Sequence, residues 1–132
     1  MNKAAFSLEN YKFDKINIDY SNYSKDISIN FEPYGKYSIE KGVFYLKVEF
    51  IASEEEKDFV RIECLAEFEF EQALDYKDIP NYFYTNCIAI IFPYIRSFVS
   101  TVTLQANIKP IILPTLNLSD LAEPLKKRTT QI

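Results

Sequence analysis

The side chains able to do chemistry in this sequence are mostly carboxylates and phenols. Glu63, Glu67, Glu69 and Glu71 recur through one stretch, and Asp26 and Glu32 belong to another. Carboxylates in such numbers serve as a general acid–base pair, as a hard-metal site, or as a surface that docks a basic partner. Same-face neighbours on one strand stand about 7 Å apart, too wide for a compact metal cage. A solvated sheet face is therefore the plain reading, a docking surface the second, and catalysis the last. Histidine is absent from all 132 residues, which removes imidazole acid–base work, Ser-His and Cys-His dyads, and the commonest metal ligand. With only two glycines, the glycine-rich loops that cradle phosphates are excluded. Cys64 and Cys87 lie too far apart for CxxC chemistry and lack further soft ligands for zinc. They read as buried, reduced thiols. The sequence thus predicts no catalytic residue, metal or cofactor.

The remaining composition sets the class. A length of 132 residues and 15.5 kDa suits one domain spanning 1–132, with enough apolar content (48%) for a core without staples. A net charge of −4 argues against nucleic-acid binding. The first ten residues carry no apolar signal region, and the longest uninterrupted apolar run, 87–93, is too short to cross a bilayer. A cytoplasmic protein without membrane insertion is expected.

Hydrophobic period supplies the scaffold for those carboxylates. Tyr11, Phe13, Ile16, Ile18 and Tyr20 predict a strand over 11–20 whose parity switches at Asp14-Lys15, as a bulge would make it. Residues 26–32 alternate, with Ile27, Ile29 and Phe31 against Asp26, Ser28, Asn30 and Glu32. Pro33 reads as the end of that strand, and Tyr34 to Tyr37 as a connection. Residues 43–52 turn Phe44, Leu46, Val48 and Phe50 inward and Tyr45, Lys47 and Glu49 outward, and 53–57 form a charged hairpin loop. Residues 59–71 turn Val60, Ile62, Cys64, Ala66, Phe68 and Phe70 inward and the glutamates outward. The sum is a four-stranded antiparallel sheet covered on one face.

A helical period follows Asp78, which reads as its N-cap, with Pro80 in the first turn. Tyr84, Ile88, Ile91, Phe92, Ile95, Val99 and Val102 mark one face of a long helix that Pro93 should kink and Asn107 should close. Residues 109–118 are extended and apolar, and Ser119 should cap a short helix over about 120–127. Phe83, Ile90, Tyr94 and Phe98 fall off the helix's main face, so a monomer would expose apolar surface that self-association could cover. Tyr34, Tyr37, Tyr82 and Tyr84 have no local pattern that buries them, and amphipathic rings of this kind suit contact with apolar peptide.

Two stretches resemble the export chaperone SecB and its wider family. Lys25-Asp-Ile-Ser-Ile29, leading to Glu32-Pro33, is similar to the family's KDISFE element. Ile91-Phe-Pro-Tyr-Ile-Arg-Ser97 is similar to its more specific FPYAR helix motif, and Pro110-Ile-Ile-Leu113 before Leu116-Asn-Leu118 matches its proline-rich apolar segment. The resemblance implies a SecB-like α+β fold: a four-stranded antiparallel sheet, one long kinked helix and a short C-terminal helix. It further implies a homotetramer built as a dimer of dimers, holding unfolded or nascent polypeptides without ATP. SecB proper passes its clients to SecA, whose basic tail docks on the acidic outer sheet face. Here Asp26 keeps one docking acid, Asn30 replaces another, Glu32 stands two residues on, and Glu63 matches a third. The expected client contacts are Tyr34, Tyr37, Phe92, Ile112, Leu113 and Leu116. The expected partner-docking residues are Asp26, Glu32 and Glu63. The function so implied is an ATP-independent holdase for export through SecA. The alternatives are a chaperone dedicated to one client such as an antitoxin, or a non-catalytic assembly adaptor.

Overall fold

A computed structural model describes residues 5–113 and 117–132. Strands β1 (Phe6–Ile18), β2 (Ser28–Ser38), β3 (Val43–Glu54) and β4 (Lys57–Phe70) precede the long helix α1 (Asn81–Gln105). The short helix α2 (Ala122–Lys127) and strand β5 (Thr129–Gln131) complete the chain. The sheet order is β1-β4-β3-β2-β5, antiparallel except where β5 runs parallel to β2. This is the expected α+β arrangement, enlarged by a fifth strand that the three residues Thr-Thr-Gln, with no apolar alternation, do not announce.

Period-2 alternation builds the sheet. The predicted inward sets of β3 and β4 are buried, from Phe44 and Phe68 at 0% exposure to Phe70 at 4%. In β1 the register slips between Phe13 and Lys15, so Phe13 faces Cys64 and Ile16 faces Ile62, with Asp14 as the extra residue. The parity switch read from the sequence is this bulge. The strand starts five residues earlier than expected, at Phe6, because its first turn of chain pairs with the end of β4 across a second slip between Leu8 and Asn10.

Pro33 does not end β2, and Tyr34 to Tyr37 are strand, not connection. The backbone groups of Gly35 and Tyr37 point toward β5: the Tyr37 carbonyl accepts from the Ile132 amide at 2.8 Å. Pro33, two residues earlier in unbroken register with β3, points the same way but beyond the end of β5. No strand needs its missing N–H, so the ladder passes through it. Tyr37 consequently joins the inward row and is fully buried.

Helix α1 lays Phe83, Tyr84, Cys87, Ile88, Ile91, Phe92, Ile95, Val99 and Thr103 on the inner sheet face. Phe83 sits amid the rings of Phe6, Phe44, Phe68, Phe70 and Tyr84, largely edge-to-face. The helix continues through Pro93. Pro93 and Ala89 are both exposed, so the carbonyl that loses its amide partner lies on the outward side. The N-cap is Pro80 rather than Asp78, which is absorbed in a 3-10 turn over Tyr76–Asp78. Asn107 closes the helix as expected: its φ is 62°, its amide reaches the Leu104 carbonyl, and the next amide, of Ile108, reaches Thr103. This is a Schellman ending. The final helical segment is capped by Asn117, whose side chain accepts from the Ser119 amide, so Ser119 is the capped residue and not the cap.

Helix α1 is long and apolar enough to span a bilayer by length and composition alone. The uninterrupted-run criterion misses this because polar residues on either side of 87–93, Thr85 and Asn86 before it and Arg96 and Ser97 after it, break the run while the average over the helix stays apolar. In the fold, nine residues of this helix are part of the core.

Candidate functional site

Inner and outer sheet faces present different surfaces. On the inner side, α1 leaves an aromatic seam along the outermost strand β1. The Tyr11 and Tyr94 rings lie 4.4 Å apart, and Phe13 stacks on Phe98 at 4.0 Å with an interplanar angle of 5°. Tyr11, Tyr94, Ile90 and, next along β1, Ile16 remain 38–46% exposed. A second exposed group gathers beyond the C-terminal end of α1. Tyr20 and Tyr23 stack over the buried Phe59, and the Tyr20 hydroxyl lies 3.5 Å from the Asn107 carbonyl. The buried Thr103 hydroxyl donates to the Val99 carbonyl and accepts from the Ile111 amide at 3.0 Å. That bond turns the segment after α1 back along its last turn, leaving Leu104 57% and Ile112 73% exposed.

The residues expected to touch a client are scattered by the fold. Ile112 is exposed. Phe92 is buried at 8%, edge-on to Phe31. Tyr34 is half-buried on the opposite, outer sheet face, with Lys47 4.7 Å and Arg128 5.0 Å from its ring centre. Tyr37 and Leu113 are core residues at 0% exposure, which corrects their reading as accessible contacts: strand parity in one case and the Thr103 tether in the other turn them inward. Of the helix-start tyrosines, Tyr84 is buried and Tyr82 is 40% exposed. Leu116 lies outside the described residues. Sequence reasoning missed Tyr11, Ile16 and Tyr20 because it counted them in the apolar row of a strand on the covered face, and it gave Tyr23 no element. The off-face positions Ile90 and Tyr94 were the available signal.

On the outer face Glu32, Glu49 and Glu63 stand opposite one another across β2, β3 and β4. Cations interleave them. Arg61 binds Glu49 at 2.5 Å, Lys47 lies 3.7 Å from both Glu49 and Glu63, and Lys15 lies 3.8 Å from Glu63. Burial and the neighbouring Asp14 hold the Glu63 carboxyl above its usual range, against the pull of Lys15 and Lys47. Glu32 accepts from the Tyr34 hydroxyl at 3.3 Å. Asp26 is exposed in the loop before β2, apart from this row. Among the described residues no three His, Cys, Asp or Glu side chains are grouped to hold a metal ion. Both cysteines are free and buried; burial pushes the Cys64 thiol up to about 12 and Cys87 further, far from the thiolate that nucleophilic work requires.

With that geometry in view, comparison with known proteins is informative. An uncharacterized protein of Methanocaldococcus jannaschii is 30% identical over 115 residues, covering 80% of this chain and 73% of that protein. The chain belongs to the family of this archaeal protein. No family model matches the sequence. Among solved structures, a SecB-like chaperone of Mycobacterium tuberculosis in complex with a ChAD peptide from the antitoxin HigA1 superposes with a TM-score of 0.67. The match has 17% identity and covers 84% of this chain and 90% of that one. The fold is SecB-like. A Streptococcus agalactiae protein of unknown function also matches, at a TM-score of 0.51 and 10% identity, over 86% of this chain and all of that one. A protein of the same fold thus carries a bound antitoxin peptide.

Proposed function

We propose that this protein is an ATP-independent holdase that shields apolar segments of an unfolded polypeptide, in the manner of SecB-like chaperones. The observation that carries the reading is the exposed apolar surface on the helix side: the Tyr11–Tyr94 seam with Ile16 and Ile90, and the group Tyr20, Tyr23, Leu104 and Ile112 at its end. Burying such surface stabilises a complex by roughly 25 cal/mol per Å², with no covalent chemistry and no bound nucleotide. The same surface suits both self-association and client contact, and we assign the seam to assembly and the Tyr20–Ile112 end to the client. The setting is the cytoplasm, where the buried thiols stay reduced. A role dedicated to one client or a few, such as an antitoxin, fits better than export through SecA. Glu63, one of the expected docking acids, is already paired with Lys15 and Lys47, and Glu49 beside it with Arg61 and Lys47, so the centre of the glutamate row is neutralised within the sheet.

The test is light scattering of a chemically unfolded protein diluted into buffer, with and without this protein and without nucleotide. Suppressed aggregation near stoichiometric amounts is expected, weakened by Ile112→Ser with Tyr20→Ser. Undiminished aggregation beside a folded sample, for an antitoxin client as well as for a generic one, would defeat the holdase reading.

A further inference from the structure

The outer sheet face carries a second feature, beside the glutamate row with Lys47 between the two, and on the far side of the sheet from the helix. It is a depression of ≈ 480 Å³ that crosses the strands. From one flank to the other it passes Arg128 beside β5, Tyr34 and Lys36 on β2, Tyr45 and Lys47 on β3, Leu65 on β4, and Lys12 on β1. Register places these together: Tyr34 pairs with Lys47, Lys47 with Leu65, and Leu65 with Lys12. In a chain of net charge −4 this trough gathers four cations against one lining carboxylate, Glu67; Lys47 is paired with Glu49 and Glu63 just outside it, which leaves Lys12, Lys36 and Arg128. The side chains of Lys12 and Lys36 are exposed and have no ion pair or hydrogen bond among the described residues. Among the described residues the Arg128 guanidinium has only its contact with the Tyr34 ring, which it shares with Lys47.

The distribution of these charges says what fits. Five strands at about 4.8 Å spacing make the trough about 19 Å long, the reach of roughly six residues of extended chain. The cations are spread along that length rather than converging on one point, which suits a series of carboxylates and not a single small anion. Between them the floor is aromatic and aliphatic, from Tyr34, Tyr45 and Leu65. We propose that this trough docks an extended acidic segment of a partner polypeptide, with carboxylates on Lys12, Lys36 and Arg128 and interleaved apolar side chains on the floor, while Lys47 stays with Glu49 and Glu63. The charge sense is opposite to that of a surface built for a basic tail. The docking does not depend on the holding role, because the two use opposite faces of the sheet.

The experiment titrates the full chain into a fluorescein-labelled synthetic peptide of alternating Glu and Leu, read by anisotropy, beside its Lys and Leu counterpart. Binding of the acidic peptide alone is expected, weakened by salt. Lys36→Glu with Arg128→Glu should weaken it at least about tenfold, and the milder Lys12→Gln with Lys36→Gln by a smaller factor. Lys57→Glu, at the first residue of β4 and outside the trough lining, should leave it unchanged. Equal binding of the basic peptide, or an equal loss in the Lys57 variant, would overturn the proposal. So would displacement of the peptide by inorganic phosphate alone, which marks a small-anion site. Self-association lost in the trough variants would make a second copy the occupant and overturn it too.

Discussion

The Tyr37 hydroxyl donates to the Leu74 carbonyl at 2.7 Å and accepts from the Leu74 amide at 3.0 Å, inside the core. Replacing it with Phe leaves both backbone groups unpaired, at a cost of about 1–3 kcal/mol. Tyr37→Phe should therefore shift urea unfolding without changing client affinity per folded molecule; an unaltered midpoint would contradict this bonding. Glu63 makes a different forecast. Its carboxyl titrates higher in the folded state than in the unfolded chain, so between the two values the folded state binds more protons. Stability from this group is present at low pH and lost as pH rises through the folded value. Glu63→Gln should flatten that fall across the weakly acidic range in pH-dependent denaturation, and a slope identical to the parent would count against it. At this scale the sequence spoke through parity. Tyr37 continues the row Ile27, Ile29, Phe31, and only the assumption that Pro33 stops a strand hid it. Whether a proline stops a strand depends on which edge its nitrogen faces, and that is decided by β5, far along the chain.

Elements obey the same mixture of local and distant causes. The β3–β4 hairpin turns on Glu55 and Glu56, at φ 48° and 65° between the paired Glu54 and Lys57. Two consecutive left-handed residues are the geometry that Asn-Gly favours. Glu55→Asn with Glu56→Gly should raise stability by about 1 kcal/mol, measurable by thermal unfolding, and a loss of stability would contradict the turn. β5 depends on Gly35, where a Cβ would stand 2.5 Å from Phe44 Cζ and 2.6 Å from Thr129 Oγ1. Both neighbours are buried, so Gly35→Ala should cost about 1–3 kcal/mol and loosen the C-terminal strand in amide exchange. Unchanged protection of Thr129 to Gln131 would refute that dependence. The central strands, the bulge at Asp14 and the Asn107 helix end were legible because their signals are periodic or stereochemical. β5 and the N-terminal part of β1 were not, since their pairing is fixed by partners distant in sequence.

For the whole molecule, the two faces of one sheet carry two different kinds of surface. The helix layer holds the apolar surplus that composition already implied, and the off-face residues Ile90 and Tyr94 marked where it would surface. The position of β1 at the sheet edge, which turns Tyr11 and Ile16 into surface, follows from strand order and has no local signature. The outer face had read as acidic from the glutamates of β4 alone; in the assembled sheet Glu63 meets Lys15 and Lys47, its neighbour Glu49 on β3 meets Arg61 and Lys47, and Glu67, Glu69 and Glu71 stay exposed. The central claim is that this assembly holds unfolded chain without nucleotide. Its most direct measurement is an anisotropy titration of a permanently unfolded, labelled antitoxin segment against the same antitoxin folded, with and without ATP. The account predicts binding of the unfolded form only, indifferent to ATP and weakened about tenfold by Tyr20→Ser with Ile112→Ser. Equal affinity for both forms, or a requirement for ATP, would contradict it.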